Sequence, residues 1–509
     1  MTNFTNFSRK TFILVTNERA QYAEDVYKKL FRMEPGLRHI RFQRIMPQRI
    51  APMLPITLAM YLRTLELVHC KTFNWESFLK LLTSCPSLEE LIVRKCTFKW
   101  PYDEEEWKFR FSEYLKMKEM EQFPNLKALE FRVKDPHDVL YMFKFVNHYS
   151  TVIEKLSFCC RSVAGSKLDS GQDDLDEIYE TTEELFSTLV ELVCKHKETL
   201  EAFHAYLLDP LGNMRDENTL IERYSKEVIH KIPCDTMHLR SFCLYGGEIS
   251  FTADESASIL ENFLRSQTNT LEKVILPRIR FQIFSQFSQL LSAIPSTVTC
   301  IRVPTFDDKL VSLLAKDFPN LQEYYIEAHG AVDLQSMISE TLDLPKVTKF
   351  TFYNCSQWAI QTVKVSTIVQ CFSKLTELLI RDDSSHQCTR MGDSDIQCIC
   401  SNLPLLKKLH LTNVESVTDF GLTGISEKDC KIVNDNCGNY NPAPGTKIGY
   451  SLDSLTDLEY LCLFNIGIRV TSCSFYLGMQ FKKLKYLVLE GCPKVHKILI
   501  YILICMLTT

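Results

Sequence analysis

The sequence predicts an α/β solenoid, with short parallel strands on a concave face and helices on a convex one, and three observations predict it. One apolar phrase recurs along most of the chain, helix-period segments lie between its copies, and a proline often closes such a segment before the next copy begins. The phrase is two apolar residues three apart, a third two later, and often Cys or Asn three beyond. Its clearest copies are Leu62, Leu65, Leu67 and Cys70; Leu88, Leu91, Val93 and Cys96; Val347, Phe350, Phe352 and Cys355; and Leu484, Leu487, Leu489 and Cys492.

This is the strand phrase of a leucine-rich repeat. Weaker copies start at Leu37, Leu126, Ile153, Leu200, Leu239, Leu271, Val298, Leu321, Leu375, Leu406 and Leu458, and many intervals between starts are 23 to 28 residues. A short strand points alternate side chains inward and the chain then turns, where a small Cys or Asn satisfies backbone groups at the bend. Helices follow. Phe78, Leu81, Leu82 and Cys85 fall at i, i+3, i+4 and i+7, as do Ile396, Ile399, Cys400 and Leu403, so each set forms one buried helix face. The pairs Cys85-Pro86, Phe123-Pro124, Ile294-Pro295, Phe318-Pro319 and Leu403-Pro404 then end the helices, because proline lacks an N–H and restricts the residue before it.

Composition agrees with an ordered chain that can bury a large core: 45% of its 509 residues are hydrophobic, 24% are charged, and only 16 Gly and 19 Pro are present. A formal net charge of −5, with both signs interspersed, gives no basic footprint, so neither nucleic acid nor a membrane surface is expected as a partner. The N-terminus carries no sustained apolar stretch with a small-residue cleavage site. The longest apolar run, Ile498 to Leu507, falls well short of the roughly 20 residues that span a bilayer. The 20 cysteines are therefore expected to be reduced, and the chain cytoplasmic or nuclear.

Residues 37–427 are read as repeats with an acidic loop insertion near 165–184, residues 428–450 as a second loop insertion, 451–497 as the last repeats and 498–509 as an apolar tail. Gly445-Thr446-Lys447 is not a phosphate loop, since Tyr440 stands where the earlier glycine is required. His386, Cys388, Cys398 and Cys400 are the densest group of potential metal ligands, but Cys400 belongs to the buried helix face and Cys398 to the opposite side. No nucleophile elbow, zinc-protease or dinucleotide motif is present. A protein with no catalytic residues, cofactor or metal is expected.

The segment from Met391 to Ser426 resembles the cysteine-containing repeats of the F-box/leucine-rich-repeat proteins, whose helix phrase runs Thr-Asp-x-Gly-Leu-x-x-Ile-Ala-x-x-Cys-Pro. Thr418, Asp419, Gly421, Leu422 and Ile425 match it in register; Asp393, Ile396, Ile399, Cys400 and Pro404 match with substitutions. The resemblance implies a substrate receptor of an SCF-type ubiquitin ligase, in which an F-box docks on the Skp adaptor and cullin scaffold while the repeats hold a protein substrate. The F-box itself is not visible. Leu54-Pro55 and Trp75 have the form of its ends, but Leu62 to Cys70 is already a repeat strand, and Thr11 to Val15 followed by Ala23, Val26, Tyr27, Leu30 and Phe31 reads as strand and helix of an incomplete first repeat over residues 1–36. Skp and cullin are thus expected as partners only if an F-box lies upstream. The alternative is a scaffold or inhibitor with no ubiquitin link.

Protein binding is assigned to the concave face, at positions alternating with the inward leucines. Tyr325, Tyr353, Arg381, His410, Tyr460, Phe464 and Tyr486 occupy such positions, and exposed aromatics and arginine are common interface anchors. The competing expectation is that these aromatics stack on one another along the ladder.

Overall fold

The structure, a computed structural model, describes residues 11–15, 38–43, 59–70, 73–99, 104–116, 125–133, 135–161, 172–208, 230–231, 237–245, 248–250, 254–267, 270–276, 278–280, 284–305, 318–328, 346–354, 365–382, 391–412, 414, 416–425, 432–434, 440–442, 449–464, 469–470, 481 and 483–490. The chain divides into two compact units, Met1–Leu271 with Ile275–Pro295, and Glu272–Val274 with Ser296–Thr509.

In the first unit the strands Thr11–Val15, His39–Gln43, Thr64–Val68, Glu90–Arg94, Ala128–Arg132, Lys155–Arg161, Ala202–Leu208 and Ser241–Tyr245 pair in chain order, each parallel to the next. The register puts Ile40, Leu65, Leu91, Leu129, Leu156, Phe203 and Phe242 in one column, and all are buried. Helices cover this side of the ladder: Phe143 of Pro136–Tyr149 meets Phe158 edge-on at 5.2 Å, and Phe263 of Asp254–Ser266 lies 4.8 Å from Phe242. Trp75–Thr83 starts where Asn74 accepts a hydrogen bond from the Glu76 N–H at 2.8 Å, and Pro136–Tyr149 starts where Asp135 accepts from His137 at 3.0 Å, both ordinary N-caps.

The second unit repeats the arrangement with Lys273–Ile275, Cys300–Thr305, Glu323–Ala328, Lys349–Asn354, Glu377–Asp382, Lys408–Leu411, Tyr460–Phe464 and Tyr486–Glu490. Its inward column runs Ile301, Tyr324, Phe350, Leu378, Leu409 and Leu461, buried throughout. In both units two successive N–H groups at the start of a strand converge on one carbonyl of the preceding rung. Lys349 and Thr348 donate to Gln322 O at 3.0 and 2.9 Å, and Glu90 and Glu89 donate to Arg63 O at 2.9 and 2.8 Å. One-directional parallel strands, a helix side and this repeated junction make the fold a leucine-rich-repeat solenoid.

The cysteine of the repeat phrase acts at the bend. His69 and Lys95 adopt left-handed backbone, each at φ 53°, immediately before Cys70 and Cys96. The Cys70 thiol donates to Phe42 O and Val68 O at 3.7 and 3.6 Å, and the Cys96 thiol to Leu67 O and Arg94 O at 3.5 Å each. Contact with the Cys70 thiol, followed by burial, raises the Cys96 pKa and keeps it a protonated donor. Cys355 and Cys492 lie outside the described residues.

The Thr-Asp-x-Gly-Leu phrase also has a visible cause. Asp393 accepts the Thr418 N–H and hydroxyl at 2.7 Å each, tying helix Asp393–Asn402 to the start of helix Asp419–Thr423. Gly421 packs against Asp393 so closely that a Cβ there would meet the Asp393 side chain and come 3.1 Å from Val417 Cγ1. Gly424, at φ +70°, ends that helix in the left-handed region, as a C-terminal glycine does.

Two expectations need correction or narrowing. Residues 172–184, expected as part of an acidic loop, form the first half of the helix Gln172–Lys195, because Leu185, Leu189, Leu192 and Val193 of its second half bury an apolar stripe and the helix extends back from them. The second insertion is not wholly loop, since Ile432–Asn434 pairs antiparallel with Tyr440–Pro442. Residues 165–171, the helix expected over 23–31, Leu37, Leu54-Pro55, Gly445 to Lys447 and the apolar tail 498–509 lie outside the described residues.

Candidate protein-binding face

The side of each ladder away from the helices carries the alternate residues. In the first unit it is spent on an internal ion network. Glu66, only 6% exposed, lies 3.2 Å from Arg94, 3.6 Å from Arg41 and 3.8 Å from His39. Arg94 also grips Glu130 through two hydrogen bonds of 2.6 Å, and this pairing raises the Arg94 pKa further. Arg132 continues the chain, 2.7 Å from Glu130 and with its guanidinium 3.9 Å over the Tyr206 ring. A buried carboxylate such as Glu66 is tolerated only with cations this near.

In the second unit the first outward column alternates in charge. Lys349 reaches Glu323 at 2.7 Å and Glu377 at 3.6 Å, and Lys408 lies 3.9 Å from Glu377. Burial disfavours the Glu323 charge, but the hydrogen bond and charge of Lys349, with the Cys300 hydrogen bond and the Lys273 charge, together outweigh it and hold the carboxyl below its usual pKa. Lys408 then sits 5.2 Å over Tyr460, whose ring is 6.1 Å from Tyr486.

The residues expected to bind are all brought onto this face, but not all as free surface. Arg302 covers Tyr325, its guanidinium 3.8 Å from the ring centroid. Tyr353 is half-buried between Glu327 and Arg381 in the register. His410 corrects the expectation of an exposed anchor: it is 7% exposed, stacks on Phe464 at 5.6 Å and meets the Cys462 thiol at 4.0 Å. Phe464 and Tyr460 are half-buried, Arg381 is exposed, and Tyr486 at 55% is the most exposed aromatic of the set. Val488, next to Cys462 in the register and 37% exposed, joins Tyr486 as an open apolar spot. Arg302 and Lys408 were not singled out from sequence, although both occupy outward positions, because their role depends on rings carried by neighbouring rungs.

Among the described residues no three His, Cys, Asp or Glu side chains converge as metal ligands, and ten of the cysteines there are free thiols. Cys398 is half-exposed and Cys400 buried, on different sides of their helix; His386 and Cys388 lie outside the described residues. No described helix is long and apolar enough to cross a membrane.

No protein-family model matches the chain, and no curated protein matches it. Among solved structures, the yeast complex of Rad7 and Elc1 is similar over 94% of this chain and 90% of its own, at 14% identity and a TM-score of 0.40. The leucine-rich-repeat-containing protein LegL7 of Legionella pneumophila is similar over 73% of this chain and 91% of its own, at 9% identity and a TM-score of 0.27. At these values the likenesses carry no argument, and the fold stands on its own ladder and core.

Proposed function

We propose that the chain is a non-enzymatic protein-binding solenoid, cytoplasmic or nuclear, whose strand face in the second unit holds a protein substrate. The observation that carries this reading is the open pair Tyr486 and Val488 beside Tyr460, apolar surface on a face where most other large side chains are matched to a neighbour. The finer reading is substrate recognition for an SCF-type ubiquitin ligase. It rests on the repeat phrase around Thr418 to Ile425, and the Rad7 likeness adds nothing to it. Chemistry in that case belongs to partner subunits, with Skp adaptor and cullin recruited only if an F-box lies upstream of this chain.

Affinity capture of the tagged full chain from cells, with the Tyr460→Ala, Phe464→Ala, Tyr486→Ala triple variant alongside, tests both levels. Proteins recovered by the native chain and lost with the variant support the face as the binding site. Recovery of Skp and cullin, by this chain or by one extended upstream to the next in-frame start, supports the ligase reading; a partner recovered reproducibly by both without them supports the scaffold or inhibitor alternative.

A further inference from the structure

We propose that Arg381 reads an acidic side chain of the partner, carried on an extended segment whose apolar residue sits on Tyr486 and Val488; this rests on the protein-binding reading above and names the chemistry of its partner. The argument starts from the outward arginines. Arg41, Arg94 and Arg132 each meet a carboxylate, and Arg302 lies on a tyrosine ring. Arg381 is exposed and meets no carboxylate among the described residues. Burial raises the Tyr460 phenol pKa, and the positive charge of Arg381 acts against that rise.

The nearby lysines are already matched, Lys349 to Glu323 and Glu377, and Lys408 to Glu377. Among the described side chains this part of the face therefore offers one unmatched positive charge, which suits a carboxylate better than a phosphate dianion. A guanidinium is the side chain that binds a carboxylate with two parallel hydrogen bonds.

Geometry sets the spacing. Arg381, Tyr460 and Tyr486 lie on strands that follow one another through Lys408–Leu411, so three inter-strand steps separate Arg381 from Tyr486. That is about 14 Å across the strands at ~4.8 Å per step, and because Tyr486 shares the register column of Glu377, Arg381 lies four residues further along, about 13 Å at ~3.3 Å per residue; the separation is about 20 Å, the reach of the arginine shortens it, and an extended partner places its carboxylate four to six residues from its apolar anchor.

The test is selection of a phage-displayed library of random twelve-residue peptides on the full chain, in parallel with Arg381→Glu and Tyr486→Ser. Both changes are at exposed positions. The expected result is enrichment of Asp or Glu four to six residues from an aromatic or branched aliphatic residue, about tenfold weaker binding of the selected peptides to Arg381→Glu, and selection of Lys or Arg at the acidic position by that variant. Peptides that lack an acidic preference, or that bind Arg381→Glu as well as the native chain, overturn the role of Arg381; if they still depend on Tyr486, the protein-binding face survives. Peptides indifferent to both residues, or no enrichment at all, overturn the proposal, and indifference to the Tyr460, Phe464 and Tyr486 triple variant removes the face as well.

Discussion

The Trp75 indole N–H donates to the Asp138 carboxyl at 2.8 Å inside the helix layer of the first unit, joining the starts of two helices 63 residues apart in sequence. Asp138 is almost fully buried, and that burial, with Asp135 near it, pushes its pKa well above the ordinary value against the opposing effect of the indole bond. The folded protein therefore holds a proton there that the unfolded chain has already released, so this group's contribution to stability falls as pH rises from the unfolded carboxyl pKa through the folded one. Asp138→Asn keeps an oxygen for the indole without the charge and should stabilise the protein at pH 8 by on the order of 1–2 kcal/mol, with less gain at pH 4. Urea unfolding at the two pH values measures this, and equal gains at both would refute the protonation argument.

His196 predicts the opposite slope. Burial, then the charge of Lys195, lowers its pKa to about 4, while Nδ1 accepts the Ile153 N–H at 3.3 Å and Nε2 is buried without a partner among the described residues. Below the unfolded value near 6.5 the unfolded chain takes up a proton that the folded state refuses, so stability falls as pH drops from about 6.5 toward 4, by roughly 3 kcal/mol in full. His196→Asn retains an acceptor and removes the titration. A flatter stability profile between pH 4 and 6.5 is the expected outcome, and an unchanged slope would assign the acid sensitivity elsewhere.

Tyr324 is an inward-column residue whose hydroxyl is buried with no hydrogen-bond partner among the described residues. Its ring packs on Phe350 at 5.9 Å and Phe372 at 6.2 Å. Tyr324→Phe removes the orphaned group and keeps the ring, and should raise stability by about 1 kcal/mol. A drop in melting temperature would reveal a partner for the hydroxyl.

Gly421 and Asp393 should be coupled. Gly421→Ala forces a Cβ against the Asp393 side chain and should cost about 1–3 kcal/mol. Asp393→Ala leaves the Thr418 N–H and hydroxyl without their acceptor and should cost about 1–2 kcal/mol. In the Asp393→Ala background the glycine change should cost less, though not nothing, since Val417 and the Asp393 backbone remain close. A double-mutant cycle by urea unfolding checks this, and strict additivity would contradict the contact.

The repeat, its inward columns and the bend cysteines could be read from sequence because each is a local pattern. Alternation of period two fixes which side of a strand Leu65 and Leu67 take, and Cys70 follows at a set distance within the same turn. The acidic stretch over 172–184 was misread because its charge says only that it is solvated, and a solvated face can belong to a helix as well as to a loop.

The sequence by itself determined that Tyr325, His410, Tyr460, Phe464 and Tyr486 share one face. Only the tertiary structure decided which of them are open. His410 is closed by Phe464, a ring 54 residues later, and Tyr325 by Arg302 from the rung before, while Arg381, whose register neighbour on the preceding strand is Tyr353, meets no carboxylate among the described residues. Cover on a ladder face comes from adjacent rungs, and the distance between rungs in sequence varies with every insertion, so no local pattern encodes it.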